Sequence, residues 1–486
     1  MKHGDLKRVP RNSALLFSSR LIDMAAVVLT NVVIARSLGA ASFGQYSFIS
    51  AYVVSITMLS YFGLDNLTMR NIARHADKAP QYLGTVIVAR WILSGLAALL
   101  ILAGLPFIGL EQKFLPALSL LTVSEIIGAF VTVQTAVFKA REQMKYDVYI
   151  TILWRLTSLI LISLGAYRGF GITGLCTIFL TANLTRALFA VWITRTKFFK
   201  PDFSEVNLML RGIFKDAAVL GAAMLITNWL FRSAQLAIKF LLGPEPVAYF
   251  QVSYAIILQV STVALSIMLA LFPVISRKAR PDQESLRRIS EIYTGVSKLL
   301  ICLGLVFSAG LMLLSRPIIL TLFGPEYLQA VEIFRILLTA LVPIFIYSLH
   351  ALLFVAYNKQ YYIIISRGIS FILVCGLYFL FIPRFGAIGA ACAYVIVSIL
   401  IGLAEALLLK YRVLHSVTPP LRMYFLNIFL SASLAATLIF EYSLLLRMIL
   451  LLFVLSTVLL QLKKNYAIFI RYRQRAAQAA PCVKYI

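Results

Sequence analysis

The chain alternates long apolar stretches with short polar breaks, and each stretch is close to the roughly 20 residues that a helix needs to cross a bilayer. Apolar runs open near Asn12, Ser42, Gly84, Phe114, Tyr146 and Gly171, and again near Ile213, Val247, Ser290, Val331, Tyr361, Gly386, Leu421 and Arg447. The pattern predicts an all-α integral membrane protein of about fourteen transmembrane helices, with connections too short to hold a soluble domain. The first run follows Lys2, Lys7, Arg8 and Arg11 and carries no small-residue cleavage pattern, so it is read as the first span and not as a removable leader.

Three local matches recur at nearly constant separation and predict an internal repeat. Leu38-Gly39 ahead of Tyr46 parallels Leu242-Gly243 ahead of Phe250. Phe138-Lys139-Ala140 ahead of Tyr146 parallels Phe354-Val355-Ala356 ahead of Tyr362. Phe170-Gly171-Ile172-Thr173-Gly174 parallels Phe385-Gly386-Ala387-Ile388-Gly389. With six spans in each copy the two share orientation, so the expected architecture is two pseudo-symmetric six-helix lobes around a central cavity, plus a C-terminal helix pair. The expected boundaries are 1–200 for the first lobe, 201–412 for the second, 413–463 for the last two helices and 464–486 for a basic cytoplasmic tail.

Composition narrows the class. Of 486 residues, 61% are hydrophobic and 13% charged, and the mean hydropathy of +0.90 excludes a water-soluble chain. The net charge of +26 would fit nucleic acid, but the basic residues follow topology instead. With the N-terminus inside, the inner segments hold 29 Lys and Arg against 7 in the outer loops, a strong positive-inside asymmetry. Both termini are therefore expected in the cytoplasm, and no nucleic-acid partner is implied. The five cysteines show no CxxC spacing, the four histidines form no cluster, and neither set points to a metal. Gly169-x-Gly171-x-x-Gly174 formally fits a dinucleotide fingerprint, but it lacks the preceding strand and is read as close helix packing. No Walker-type loop occurs, so neither ATP nor any other cofactor is expected.

A charged residue at the centre of a span costs roughly 2.5 to 3.5 kcal/mol on insertion scales, so such residues should face partners or a watery cavity. On the first helix, Arg20, Asp23, Thr30 and Asn31 share one polar face with Asn12 and Ser13. On the seventh, Asn228, Arg232, Gln235 and Lys239 follow i, i+4, i+7 and i+11 spacing. These helices open the two repeats, so both stripes are expected to line the cavity, where Arg20 and Arg232 would meet an anionic ligand. Guanidinium suits phosphate because its planar fork donates several hydrogen bonds and stays ionised. Arg155 and Glu125, also near mid-span, are further candidates, and alternatively they neutralise each other across helices. In the same way Arg20 and Asp23, at i and i+3, form an alternative internal pair. Arg186 and Lys298 are read as snorkelling near helix ends, and His350 as a packed polar residue.

Residues Ile34 to Tyr46 (Ile-Ala-Arg-Ser-Leu-Gly-Ala-Ala-Ser-Phe-Gly-Gln-Tyr) and Phe62-Gly63-Leu64-Asp65 followed by Arg70-Asn71-Ile72-Ala73-Arg74 resemble signatures of a known family. It is the polysaccharide transporter family, the O-antigen type flippases of the multidrug/oligosaccharidyl-lipid/polysaccharide exporter superfamily. The Phe-Gly-x-x-Gly openings of helices six and twelve agree with it. The resemblance implies a two-lobed transporter with a cationic cavity that carries an undecaprenyl-diphosphate-linked oligosaccharide from the cytoplasmic to the periplasmic leaflet by alternating access. It also implies residence in a bacterial inner membrane, contact with membrane lipids, and a polymerase and chain-length regulator of the same pathway as partners. By position, Asp65 and Arg70 match the helix-two signature and carry an expected gating role. A small-molecule antiporter of the same superfamily is the alternative, ordinarily built with twelve spans and with acidic residues for cationic cargo. A membrane glycosyltransferase or polymerase would need a catalytic carboxylate in a sizeable outer loop, and the outer loops are short.

Overall fold

The computed structural model describes residues 5–278, 283–415, 419–439, and 449–457 apart from 451 and 455; side chains are described from residue 23 onward, with further gaps between 269 and 282. The helices are α1 (Asp5–Tyr61), α2 (Leu64–Arg74), α3 (Ala79–Ile108), α4 (Leu115–Ala140), α5 (Met144–Tyr167), α6 (Ile172–Lys197) and α7 (Val206–Leu242). They continue as α8 (Glu245–Lys278), α9 (Gln283–Leu313), α10 (Ser315–Phe323), α11 (Ala330–Leu338), α12 (Leu341–Ala356), α13 (Tyr361–Arg412) and α14 (Leu421–Ile439). No strand occurs among the described residues.

Predicted spans one and two both lie in α1, which breaks at Gly39 (φ 72°, ψ 168°), and spans eleven and twelve both lie in α13, which breaks at Gly386 (φ 61°, ψ −147°). Only glycine adopts such angles without strain, so these residues mark the turns between spans. Span ten is a bent pair, α11 and α12, meeting at 46°. Span fourteen and the basic tail fall largely outside the described residues. Nine described helices are long and apolar enough to cross a membrane, or ten with the bent pair counted. Trp91, Leu99, Phe107, Leu188, Trp192, Phe379 and Phe429 stand exposed along these helices, as expected where lipid and not water is the neighbour.

The recurring sequence matches also share local geometry. Gly243 ends α7 at φ 98°, ψ −175°, close to the conformation of Gly39 at the equivalent place. Glu142 and Asn358 follow the paired motifs at φ 57° and φ 56°. The Gln143 amide donates to the Phe138 carbonyl at 2.9 Å, and the Lys359 amide to the Phe354 carbonyl at 2.7 Å. In both copies the phenylalanine ring then meets the following tyrosine, Phe138–Tyr146 at 5.8 Å and Phe354–Tyr362 at 5.7 Å. Each is a helix end closed by a left-handed residue that lets the last carbonyls find donors.

Packing divides the chain into two compact units. The first comprises 1–256, 320–328 and 367–390. Its main seams join α4 to α6, α1 to α5 and α1 to α7, around buried Leu64, Leu83, Val133 and Phe138 and, separately, Phe48, Val53, Ile101 and Leu118. Small residues set the closest approaches: a Cβ on Gly44 would stand 1.9 Å from the Pro244 carbonyl oxygen, and one on Gly221 2.7 Å from the Phe62 ring. The second unit comprises 257–319, 329–366 and 391–486. There α9 packs on α12 and α14, with Gly304 against Val342. Buried His350 meets the Tyr293 hydroxyl at 3.1 Å, the packed polar contact expected of it. Arg335 donates to Ser315 Oγ and to the Leu438 carbonyl, each at 2.9 Å, tying three segments of this unit.

Candidate functional site

The first unit gathers most of the mid-span charges singled out by the sequence. Asp23 of α1 accepts from Arg155 Nε of α5 at 2.5 Å, with both side chains about four-fifths buried (23% and 20% exposed). Asp23 is thus paired across 132 residues of chain, and Arg155 answers Asp23 instead of Glu125. Arg20 lies on the same helix, with its side chain outside the described residues.

Glu125 of α4 has its charged neighbours on two other helices, Arg232 of α7 and Arg186 of α6. Among the described residues it makes no ion pair within 4.0 Å, so both guanidiniums act on the carboxylate through space; Arg186 is itself acted on by Asp147 of α5, which Lys139 engages at 3.2 Å. The same carboxylate and Arg232 act on Tyr46 of α1, while Tyr61, nearer the end of α1, faces Glu125, Arg90 and Arg186. Asn183 of α6 donates to Ser124 Oγ of α4 at 2.9 Å and fixes the two helices beside this group.

Arg186 was expected to snorkel, and the structure corrects that expectation. It lies in the middle of α6, and its guanidinium carbon is 4.7 Å from the ring centroid of Trp154 on α5. Arg155 approaches the same ring at 4.0 Å. The sequence signal for Arg186 was its distance from both ends of Ile172–Lys197; Trp154 carried none, because an aromatic residue in a span is ordinary.

The helix-seven stripe separates along its length. Asn228 has a buried carbonyl oxygen without a hydrogen-bond partner. Arg232 faces Glu125 as described. Gln235, 1% exposed, bonds Gln251 of α8, and Lys239 lies 5.3 Å above the Phe48 ring, so both serve helix contacts. On α1, Asn31 donates to the Val27 carbonyl one turn back at 2.9 Å. Beside Asn228, Thr227 accepts from Arg367 of α13 at 2.9 Å, a further buried arginine of this unit.

Of the helix-two signature, Asp65 borders this group through Arg90 and Tyr61, and Arg70 pairs at the surface. Asp65 accepts from Arg90 of α3 at 2.5 Å and from Thr132 of α4 at 2.9 Å, and Arg90 is fully buried with its guanidinium 5.5 Å from the Tyr61 ring. Gly63 at φ 71° turns the chain so that Asp65 reaches this position on α2. Arg70 pairs with Asp216 of α7 at 3.2 Å, with both side chains about half exposed (48% and 54%). No group of three or more histidine, cysteine or acidic residues suited to a metal occurs among the described residues.

Chemically, Arg155, Arg186 and Arg232 lie with Asp23, Glu125 and, acting on Arg186, Asp147, which Lys139 engages at 3.2 Å; four cations and three anions leave a surplus of one positive charge. No nucleophile–base pair is formed among them. Such a group can attract, hold and release an anion.

A family model described as polysaccharide biosynthesis protein matches residues 9–279, and one described as lipid II flippase MurJ matches residues 239–464. No curated protein matches the sequence significantly. Among solved structures, that of a lipid II flippase MurJ in an inward closed conformation is 15% identical, with a TM-score of 0.72 over 94% of this chain and 99% of that one. An inward-facing multidrug resistance MATE family transporter of the MOP superfamily is 14% identical, with a TM-score of 0.63 over 89% and 100%. The Vibrio cholerae MATE transporter VcmN in the bent form is 14% identical, with a TM-score of 0.58 over 87% and 99%. These likenesses establish the two-lobed transporter fold.

Proposed function

Since the chain belongs to the polysaccharide biosynthesis protein family, we propose that it is a flippase-type transporter of the MOP superfamily and moves an undecaprenyl-diphosphate-linked oligosaccharide from the cytoplasmic to the periplasmic leaflet. The carrying observation is the surplus of one positive charge when Arg155, Arg186, Arg232 and Lys139 are set against Asp23, Glu125 and Asp147 inside a mainly apolar helical unit. A diphosphate is costly to bring into low dielectric, and guanidinium groups already held there offset that cost by charge-assisted hydrogen bonds. The lipid tail needs no protein site of its own, because the exposed apolar helix faces border the bilayer.

In this reading the lobes 1–200 and 201–412 alternate access to the two leaflets, with both termini in the cytoplasm of a bacterial inner membrane. Arg20, Asp23, Asn31, Asn228 and Arg232 contact cargo. Glu125 serves as the internal counter-charge that Arg186 and Arg232 face until the diphosphate arrives. Asp65 and Arg70 support movement of the segment around α2. A polymerase and a chain-length regulator take over the exported unit. Supporting this over a small-molecule antiporter is the sign of the surplus, which favours anionic cargo over cationic.

Deleting the gene should abolish display of the corresponding surface polysaccharide, and a wild-type copy should restore it. Undiminished display in a strain without a second flippase would contradict the proposal.

A further inference from the structure

Trp154 sits where two like charges meet. The guanidinium carbons of Arg155 and Arg186 lie 4.0 Å and 4.7 Å from its ring centroid, although the two arginines belong to different helices and repel each other. An aromatic ring attracts both cations and counters that repulsion. Asp23 occupies Nε of Arg155 and leaves the rest of its fork. Arg186 Nε and Trp154 Nε1 are both buried without a hydrogen-bond partner. Buried donors of this kind favour a ligand that brings acceptors. Of the carboxylates that act on or are acted on by Arg186, Asp147 is engaged by Lys139 at 3.2 Å, Asp23 by Arg155, and Glu125 makes no ion pair within 4.0 Å among the described residues, so these donors stay unmet. A ligand with two adjacent anionic groups can engage both guanidiniums at once, whereas one with a single anionic group engages them less completely.

We infer that Trp154 is a positioning residue: its ring holds Arg155 and Arg186 within reach of one ligand, forming a site selective for diphosphate over monophosphate. Its indole N–H adds a further donor to the site. The inference rests on the proposed diphosphate-linked cargo, and it concerns the head group alone, so binding can be measured without transport.

The test uses the purified full-length protein in detergent, titrated calorimetrically with geranyl diphosphate and geranyl monophosphate. Wild type should prefer the diphosphate by about tenfold or more. Trp154→Leu should lose most of that preference, chiefly through weaker diphosphate binding. Trp154→Phe, which keeps the ring and removes the N–H, should stay within about threefold of wild type. Arg186→Lys, which keeps the charge and removes the fork, should also lose preference. Absence of preference in wild type, or its survival in monodisperse Trp154→Leu, would overturn the inference. Should Trp154→Leu fail to purify as a single species, unchanged preference in Arg186→Lys would overturn it equally. If the preference behaves as expected while reconstituted vesicles translocate no lipid-linked oligosaccharide, the site stands and the proposed function fails.

Discussion

Buried charge in this chain is arranged in pairs whose loss has different consequences. Arg90 is fully buried against Asp65, so Asp65→Ala should leave an uncompensated cation and cost about 3–5 kcal/mol of stability. Melting followed by gel filtration in detergent should show a large drop, and Asp65→Ala combined with Arg90→Met should recover most of it. Equal melting of the single and double variants would contradict this account of the pair. Arg232 differs, since it acts on Glu125 with no ion pair within 4.0 Å among the described residues. Arg232→Ala should fold at normal levels and fail to restore polysaccharide in a deletion strain; full restoration would remove it from the proposed site. The candidate residues Asp23, Glu125, Arg155 and Arg232 were legible because charge at mid-span is expensive. Their partners were not, because Asp23 and Arg155 meet across 132 positions and no local spacing encodes that. Arg186 was misread as lying near a helix end, although it stands in the middle of α6, which runs on to Lys197.

The breaks between elements were more legible than the elements' neighbours. Gly39, Gly243 and Gly386 stood out as glycines at recurring junctions, and each holds a positive φ. The Phe138 and Phe354 motifs recur because the same helix ending is built twice, with Glu142 and Asn358 in the left-handed region. Hydrophobic pattern could not reveal that α1 and α13 each run through two spans, since a single glycine turns the chain without a polar loop. Close packing gives a sharp contrast between two glycines inside helices. Gly44→Ala should destabilise markedly, because its Cβ would meet the Pro244 carbonyl oxygen at 1.9 Å, whereas Gly95 has nothing within 4 Å. Gly95→Ala should be neutral or stabilise by up to about 1 kcal/mol, as alanine favours helix over glycine. Thermal melting of the two variants checks the contrast, and equal shifts would contradict the packing of α1 on the start of α8.

For the whole molecule, the 29 to 7 division of Lys and Arg predicts an orientation that labelling can test. On a cysteine-free background, a cysteine replacing Lys113 should react with an impermeant maleimide in intact cells, and one replacing Lys145 only after permeabilisation. The reverse pattern would invert the topology. The all-helical membrane class and the polysaccharide family were readable from length, hydropathy and short motifs. The way helices group was not, because packing in lipid depends on small residues and on contacts far apart in sequence. The central claim is translocation of a diphosphate-linked oligosaccharide, and vesicles containing only the purified protein and a fluorescent undecaprenyl-diphosphate oligosaccharide test it most directly. External dithionite should bleach nearly all of the fluorophore in vesicles carrying the wild-type protein, and about half in protein-free vesicles or those with Arg232→Ala. Bleaching that stops at half with the wild-type protein would contradict the account.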